Sequence, residues 1–135
     1  MLRKAIAVVA LSIFGAPTLG QACEGATRLT LDSPATLEGV LKHGQGTHEA
    51  QGAFSYVYLA LDKPVCVDAP VAGASDEDPQ ENLEAPVDRV QLAGEAVNGE
   101  LPIGKHVSVS GTLFAAHTMW HVEDVLVDAG EVSPR

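Results

Sequence analysis

The segment at residues 104–128, with its strict alternation of apolar and polar side chains from His106 to Phe114, is the feature that most constrains this chain. The apolar face carries Val107, Val109, Gly111 and Leu113, and the polar face carries Ser108, Ser110 and Thr112. This period of two is that of a β-strand with one buried and one solvated face. The segment predicts two strands, 107–114 and 122–128, joined by a loop. Gly111 has no side chain to pack, which predicts a bulge or bend there.

Three further segments alternate in the same way, at residues 36–42, 54–62 and 88–93, so the sequence predicts five strands. Pro64 ends the second of these, and residues 65–67 resume it as a short edge. The side chains predicted to face the core are Leu37, Leu41, Val57, Leu59, Leu61, Val90, Leu92, Val107, Val109, Val125 and Val127. Those predicted to face outward are Tyr56, Tyr58, Arg89, Gln91 and Leu126.

Glycine, proline and acidic residues mark the connections between these strands. Residues 44–52 predict a glycine-rich loop, and residues 69–86 predict a long acidic loop. Residues 94–104 predict a connection with one short helical turn. A five-stranded sheet with one apolar face and no helix to cover it can bury that face by curling into a closed barrel.

We therefore predict an all-β fold, a small five-stranded OB-like barrel with one long acidic loop. An immunoglobulin-like sandwich is the alternative. It has about seven strands and a buried tryptophan between its paired cysteines, whereas Trp120 follows both cysteines of this chain.

The N-terminal segment has the composition of a signal peptide. Arg3 and Lys4 precede an apolar run at residues 5–14, which is too short to span a bilayer, and small residues lead up to Ala22. We expect cleavage after residue 22, a periplasmic or secreted location and no membrane span in the mature chain. A lipoprotein anchored at Cys23 is the competing interpretation, and Gly20 stands where its signal requires an aliphatic residue.

The two cysteines, Cys23 and Cys66, are predicted to form a disulfide because export leads to an oxidising compartment. The bridge would tie residues 23–34 to a barrel domain at residues 35–135. Acids outnumber bases by 18 to 8, a formal net charge of −10, and the predicted leader removes two of those bases. Such acidity argues against nucleic acid as a partner. We expect a monomer.

Candidate chemistry is concentrated in the loop of the 104–128 hairpin. His117 and His121, with His106 as a third ligand, form a candidate zinc or copper site. The alternative is that these histidines form ordinary hydrogen bonds that close a turn, and then no cofactor is expected. No serine lies in a GxSxG motif and neither cysteine is a plausible nucleophile, so we expect no enzymatic activity.

A second candidate feature is a ligand or partner surface. Its predicted members are Tyr56, Tyr58, His117, Thr118, Trp120 and His121. Aromatic rings on small barrels can stack on sugars or bases. The alternative is that the two tyrosines pack beneath a loop.

Several strings in the chain also resemble a known family. They are residues 37–41, 59–67, 90–92 and 104–118 together with His121, and the most specific part is Gly111-Thr112-Leu113-Phe114 followed by Ala116-His117-Thr118 and His121. These strings resemble the bacterial domain of unknown function 4431 family (DUF4431). The resemblance extends over residues 35–128 and implies a small exported protein with OB-like strands and no established activity.

These observations favour an exported, noncatalytic binding or interaction module of the bacterial envelope, whose partner is an envelope protein or a glycan. One alternative is a metal-binding envelope protein that uses His117 and His121. Another is an inhibitor of a basic hydrolase such as lysozyme, which the small size, the export, the disulfide and the acidity suggest.

Overall fold

A computed structural model of the protein describes residues 23–70 and 83–135. The predicted signal peptide and most of the predicted acidic loop lie outside the described residues. The described elements are β1 (Thr27–Thr30), β2 (Pro34–His48), β3 (Gly52–Asp68), β4 (Leu83–Ala93), a 3₁₀ turn (Glu95–Asn98), β5 (His106–Ala115) and β6 (Val125–Pro134). Among these residues, no helix has the length and hydrophobicity needed to cross a bilayer.

Strands β2 to β6 close into a ring. The order around the ring is β3, β2, β5, β6 and β4, and β4 also pairs with β3. The β4–β6 contact is parallel, and the other contacts in the ring are antiparallel. The predicted all-β class and small barrel are confirmed. The helical turn predicted between the third and fourth barrel strands is also present, as the 3₁₀ turn.

The inside of the ring is the hydrophobic core. Its fully buried members include Leu41, Leu59, Val90, Val107, Val109, Leu113, Val125 and Val127. Val57 and Leu61 pack against this core but are only partly buried. The alternation in the sequence therefore identified the inward face of each predicted strand correctly.

Strand β1 is an addition that the sequence analysis did not predict. It pairs in parallel with the end of β3, from Thr27 opposite Val65 to Thr30 opposite Asp68. The predicted disulfide between Cys23 and Cys66 is present beside it, with the two Cα atoms 5.9 Å apart. This bond leaves Cys23 no thiol to carry a lipid.

The predicted loop at residues 44–52 is wrong, because most of it forms a long β2–β3 hairpin. Gly44 pairs with Tyr56 and Gly46 pairs with Phe54 across the two strands. A Cβ atom placed on Gly46 would lie 2.5 Å from Cζ of Phe54. The aromatic rings thus occupy the space above the glycines and stabilise a strand that glycine alone would weaken.

Strand boundaries also differ from the predictions. β3 continues through Pro64, which is tolerated because the pairing with β2 ends at Leu61 and the pairing with β1 begins only at Val65. β4 begins at Leu83, inside the predicted acidic loop, and β6 continues to Pro134. The pairing partners of these segments lie far away in the sequence, so local pattern does not reveal them.

Gly111 lies at the predicted irregularity. The β5–β6 register shifts between Ser110 and Gly111, which face Glu131 and Ala129 and leave Gly130 unpaired. A Cβ atom on Gly111 would collide with the carbonyl group of Asp128. Only glycine lets β5 and β6 approach this closely at the bulge.

We predict that replacing Cys23 and Cys66 together by alanine lowers the free energy of unfolding by about 4 kcal/mol, because the bridge closes a long loop in the unfolded chain. The bridged residues are separated by 43 positions. Urea denaturation of the oxidised protein and of the double variant, with chemically reduced wild type as the control, measures the difference. A loss below about 1 kcal/mol would contradict the entropic argument.

Candidate functional site

The tip of the β2–β3 hairpin and the loop between β5 and β6, residues 116–124, meet at one end of the barrel. Trp120 from the loop stacks on His48 from the hairpin, with ring centroids 4.3 Å apart and planes 20° apart. Phe54, also from the hairpin, meets Trp120 edge-on at 4.9 Å. We refer to His48, Phe54 and Trp120 as the aromatic cluster.

The aromatic cluster is held in place but not covered. Trp120 remains 45% exposed, and its neighbours Met119 and Val122 are 52% and 40% exposed. These are the exposed large hydrophobic side chains of the described residues. Of these three side chains, Trp120 is the one that stacks on rings of the β2–β3 hairpin.

The imidazole of His48 is fixed by the turn of its own hairpin. Its Nδ1 atom accepts hydrogen bonds from the backbone N–H groups of Ala50 and Gln51, at 3.1 Å and 3.2 Å. Because Nδ1 accepts, the proton of the neutral ring is on Nε2. The ring beneath Trp120 therefore has a fixed position and a hydrogen-bond donor on Nε2.

Gln91 attaches the β5–β6 loop to the barrel. Its Nε2 atom donates to the carbonyl of Trp120 at 3.0 Å, and its Oε1 atom accepts from the N–H groups of Val122 and Glu123 at 2.7 Å and 3.2 Å. The prediction that Gln91 faces solvent is wrong, since the side chain is only 6% exposed. Its burial is tolerated because both ends of the carboxamide have partners.

Leu126 was also predicted to point outward and is instead fully buried. It lies opposite Gln91 in the β4–β6 register and opposite Phe114 in the β5–β6 register. The outer face of the barrel is thus covered on this side, where Gln91 bonds to the loop. The alternation in β6 correctly placed Leu126 on the face that points away from the core, but that face is buried here rather than exposed to solvent.

Tyr56 and Tyr58 contribute contacts to this region rather than an open surface. The hydroxyl of Tyr56 donates to Oε1 of Glu123 at 2.8 Å, and Arg89 lies over the ring of Tyr58 at 4.8 Å. Burial, followed by the bond to the Glu123 carboxylate, raises the pKa of Tyr56 to about 12. Tyr58 is only 8% exposed. Tyr56 therefore supports the loop through Glu123, and Tyr58 packs beside Tyr56.

The two histidines of the loop, His117 and His121, lie close together. Their ring centroids are 4.7 Å apart, and both rings pack against Phe114. The backbone N–H of His117 donates to Nδ1 of His121 at 3.0 Å, and Nδ1 of His117 donates to the carbonyl of Ala115 at 3.1 Å. Burial, and then the nearby His117, lower the pKa of His121. Thr118 is exposed and accepts from the N–H of Trp120.

These hydrogen bonds limit what the histidines can offer a metal ion. The lone pair of His121 Nδ1 already accepts a hydrogen bond from the backbone N–H of His117. The Nε2 atom of His117 is therefore the nitrogen of the pair that can bind a metal ion without breaking a hydrogen bond. His106 stands at the other end of β5, a strand about 33 Å long, and its Nε2 atom lies 2.5 Å from Oδ2 of Asp62. In residues 23–70 and 83–135, no three histidine, cysteine or acidic side chains are grouped as metal ligands.

Three residues of the site were not anticipated from the sequence, namely His48, Phe54 and Gln91. One signal was available for the hairpin. Gly44 and Tyr56 are equally far from residue 50, on either side of it, and so are Gly46 and Phe54. A glycine facing an aromatic residue at two successive positions indicates an antiparallel hairpin centred on that residue. No comparable local signal marks Gln91.

Residues 89–133 match the family described as Domain of unknown function (DUF4431). The match covers the end of β4, the 3₁₀ turn, β5, the β5–β6 loop and nearly all of β6. It confirms the family resemblance predicted from the sequence. The strings at residues 37–41 and 59–67 lie outside the matched range. No curated protein and no solved structure matches the chain.

We predict that Gln91→Leu lowers the free energy of unfolding by about 1–3 kcal/mol, because the buried N–H groups of Val122 and Glu123 lose their acceptor. The fluorescence of Trp120 should also shift towards longer wavelength as the loop loosens. The chain contains one tryptophan, so this signal comes from the loop alone. Gln45→Leu is the matched control, since Gln45 is exposed and bonds to Ser55. Equal effects of the two substitutions would contradict the assigned role of Gln91.

We predict that the β5–β6 loop loosens in acid through His121. Its pKa in the folded protein is below the ordinary value, so the folded state binds fewer protons. The stability that this group contributes is therefore present above about pH 6.5 and is lost as the pH falls through the folded-state pKa.

The measurement is urea denaturation at several pH values for wild type and His121→Asn. Asparagine offers an acceptor oxygen near the position of Nδ1 but does not titrate. We expect a smaller loss of stability in acid for the variant. An unchanged pH dependence, or an NMR titration that places the pKa of His121 at or above its ordinary value, would contradict this assignment.

Proposed function

We propose that this protein, whose residues 89–133 match the DUF4431 family, is an exported, noncatalytic binding module that contacts its ligand through the aromatic cluster. The observation that carries the proposal is a half-exposed tryptophan held rigid by rings from a different element. Trp120 packs against His48 and Phe54, and Gln91 fixes its backbone. A tryptophan that only packed against its own loop would not need rings from another element to hold it in place.

Rigidity is what makes such a surface useful for binding. A side chain that is ordered before binding loses little conformational entropy when the ligand arrives, so more of the contact energy appears as affinity. Tryptophan is also enriched among the residues that dominate binding energies, because it offers a large flat contact area. Holding Trp120 exposed costs the folded protein hydrophobic burial, which is consistent with selection for contact rather than stability.

The position of the cluster in the barrel supports the same proposal. OB-type barrels bind their ligands beside the loop between their first two strands and the loop between their last two. In this ring those connections are the β2–β3 turn and the β5–β6 loop. These are the two segments from which His48 and Trp120 come.

Several contacts support a noncatalytic role and an oxidising location. Both cysteines are consumed in the disulfide, a bond typical of exported proteins. The serine hydroxyls with side-chain partners among the described residues contact Thr36, Gln45 and Glu131 rather than an imidazole. The metal-binding and hydrolase-inhibitor hypotheses rank lower, because the first rests on one available histidine nitrogen and the second on charge and size.

We predict that Trp120→Ala abolishes capture of an envelope component while Met119→Ala does not. Met119 is the matched control because it is a neighbouring and similarly exposed hydrophobic side chain outside the aromatic cluster. The measurement is a pull-down from envelope extract with immobilised wild type and the two variants, each checked for an unchanged thermal unfolding curve. Capture that is equal for all three proteins, or absent for all three, would contradict the proposed surface.

A further inference from the structure

We infer that the ligand of the aromatic cluster is an uncharged glycan, recognised by stacking of one pyranose ring on Trp120. This inference rests on the proposed function and names the class of ligand. It is drawn from the size of the exposed aromatic surface, its shape, the polar groups beside it and the charge of the protein.

The size of the surface fits a sugar ring better than a protein partner. With 45% of Trp120 exposed, the available aromatic area is about 100 Å². A stable protein–protein interface buries about 800 Å² on each partner. Met119 and Val122 add further exposed apolar area beside Trp120, but the three side chains together still offer far less than that. The other side chains of the loop tip are polar or charged. One pyranose face is comparable in area to what Trp120 offers.

The shape of the surface leads to the same class of ligand. His48 lies nearly parallel to the indole and covers one of its faces, while Phe54 meets the indole edge-on. The exposed part of the side chain belongs to a planar indole ring, which offers a flat surface. The C–H groups on one side of a pyranose ring form a flat, slightly electropositive surface, which is attracted by the negative face of an aromatic ring.

Polar groups on the same two segments match the hydroxyl groups of a sugar. His48 carries its proton on Nε2, because Nδ1 accepts from the turn. Glu49 follows it in the chain and is exposed, as is Asp124 at the end of the β5–β6 loop. A sugar hydroxyl both donates and accepts, so it can bond to an imidazole N–H and to a carboxylate at once.

Charge restricts the class further. The chain carries a formal net charge of −10, which opposes binding of nucleic acids and of glycans rich in carboxylate or phosphate. Arg89, the basic residue bonded within this region, is engaged by Tyr58 and lies 4.0 Å from Glu123. A polycation would bind an acidic protein anywhere on its surface, without needing Trp120. The remaining class is an uncharged pyranose chain.

The test uses the one tryptophan of the chain as its own reporter. The fluorescence of the disulfide-bonded protein is titrated with uncharged chito-oligosaccharides and cello-oligosaccharides, with cationic chitosan and with anionic polygalacturonate. We expect a saturable change with at least one uncharged oligosaccharide that is insensitive to salt. No saturable change with either, or a change confined to chitosan and removed by salt, would overturn the inference.

Variants locate the binding. Calorimetric titration should give an association constant about tenfold lower for Trp120→Ala than for wild type, and a smaller loss for Trp120→Phe, which keeps an aromatic face. Met119→Ala should bind like wild type. Equal binding by Trp120→Ala would overturn the inference. The phenylalanine variant keeps the test valid if the alanine variant unfolds.

The two proposals fail in different ways. Capture from envelope extract that depends on Trp120 and is abolished by protease, but not by glycosidase, would leave the binding module standing and overturn the glycan. Capture abolished by glycosidase supports both. No capture that depends on Trp120, together with no sugar binding, overturns both.

Discussion

The closure of the sheet by β4 is the constraint on which the rest of the structure depends. β4 pairs with β3 along one edge and with β6 along the other. The apolar side chains of all five strands therefore pack against one another inside the ring, and no helix is needed to cover them. Closure also fixes which loops become neighbours. The β2–β3 turn and the β5–β6 loop are separated by more than 60 residues of chain, yet the ring brings them together, as the contact between His48 and Trp120 shows.

Gln91 links this closed ring to the surface that we propose binds ligand. It lies on β4, opposite Leu126 of β6, and its carboxamide contacts three backbone groups of the β5–β6 loop. A buried polar side chain with every partner in place specifies one arrangement, because any other loop position leaves a desolvated group unpaired. The loop is therefore ordered by the barrel wall.

The sequence predicted the parts of the fold that depend on local pattern. Val107, Val109 and Val127 were placed in the core because burial on one face of a strand leaves a period of two. β1 was missed because four residues are too few to show a period, and its pairing with β3 is decided by chain folding. The site was half predicted: Trp120, His117 and His121 were identified, whereas Gln91 looked like any outward residue of a strand.

The place of the disulfide in the chain orders events during biosynthesis. Cys23 emerges near the start of the described chain, and Cys66 follows within β3, before any residue of β4, β5 or β6 exists. The covalent bond can therefore form while β1, β2 and β3 are the strands of the sheet that exist and the sheet is still open to oxidant. In the folded protein Cys66 is wholly shielded from solvent and Cys23 is nearly so. The folded protein therefore keeps reductants away from the disulfide bond.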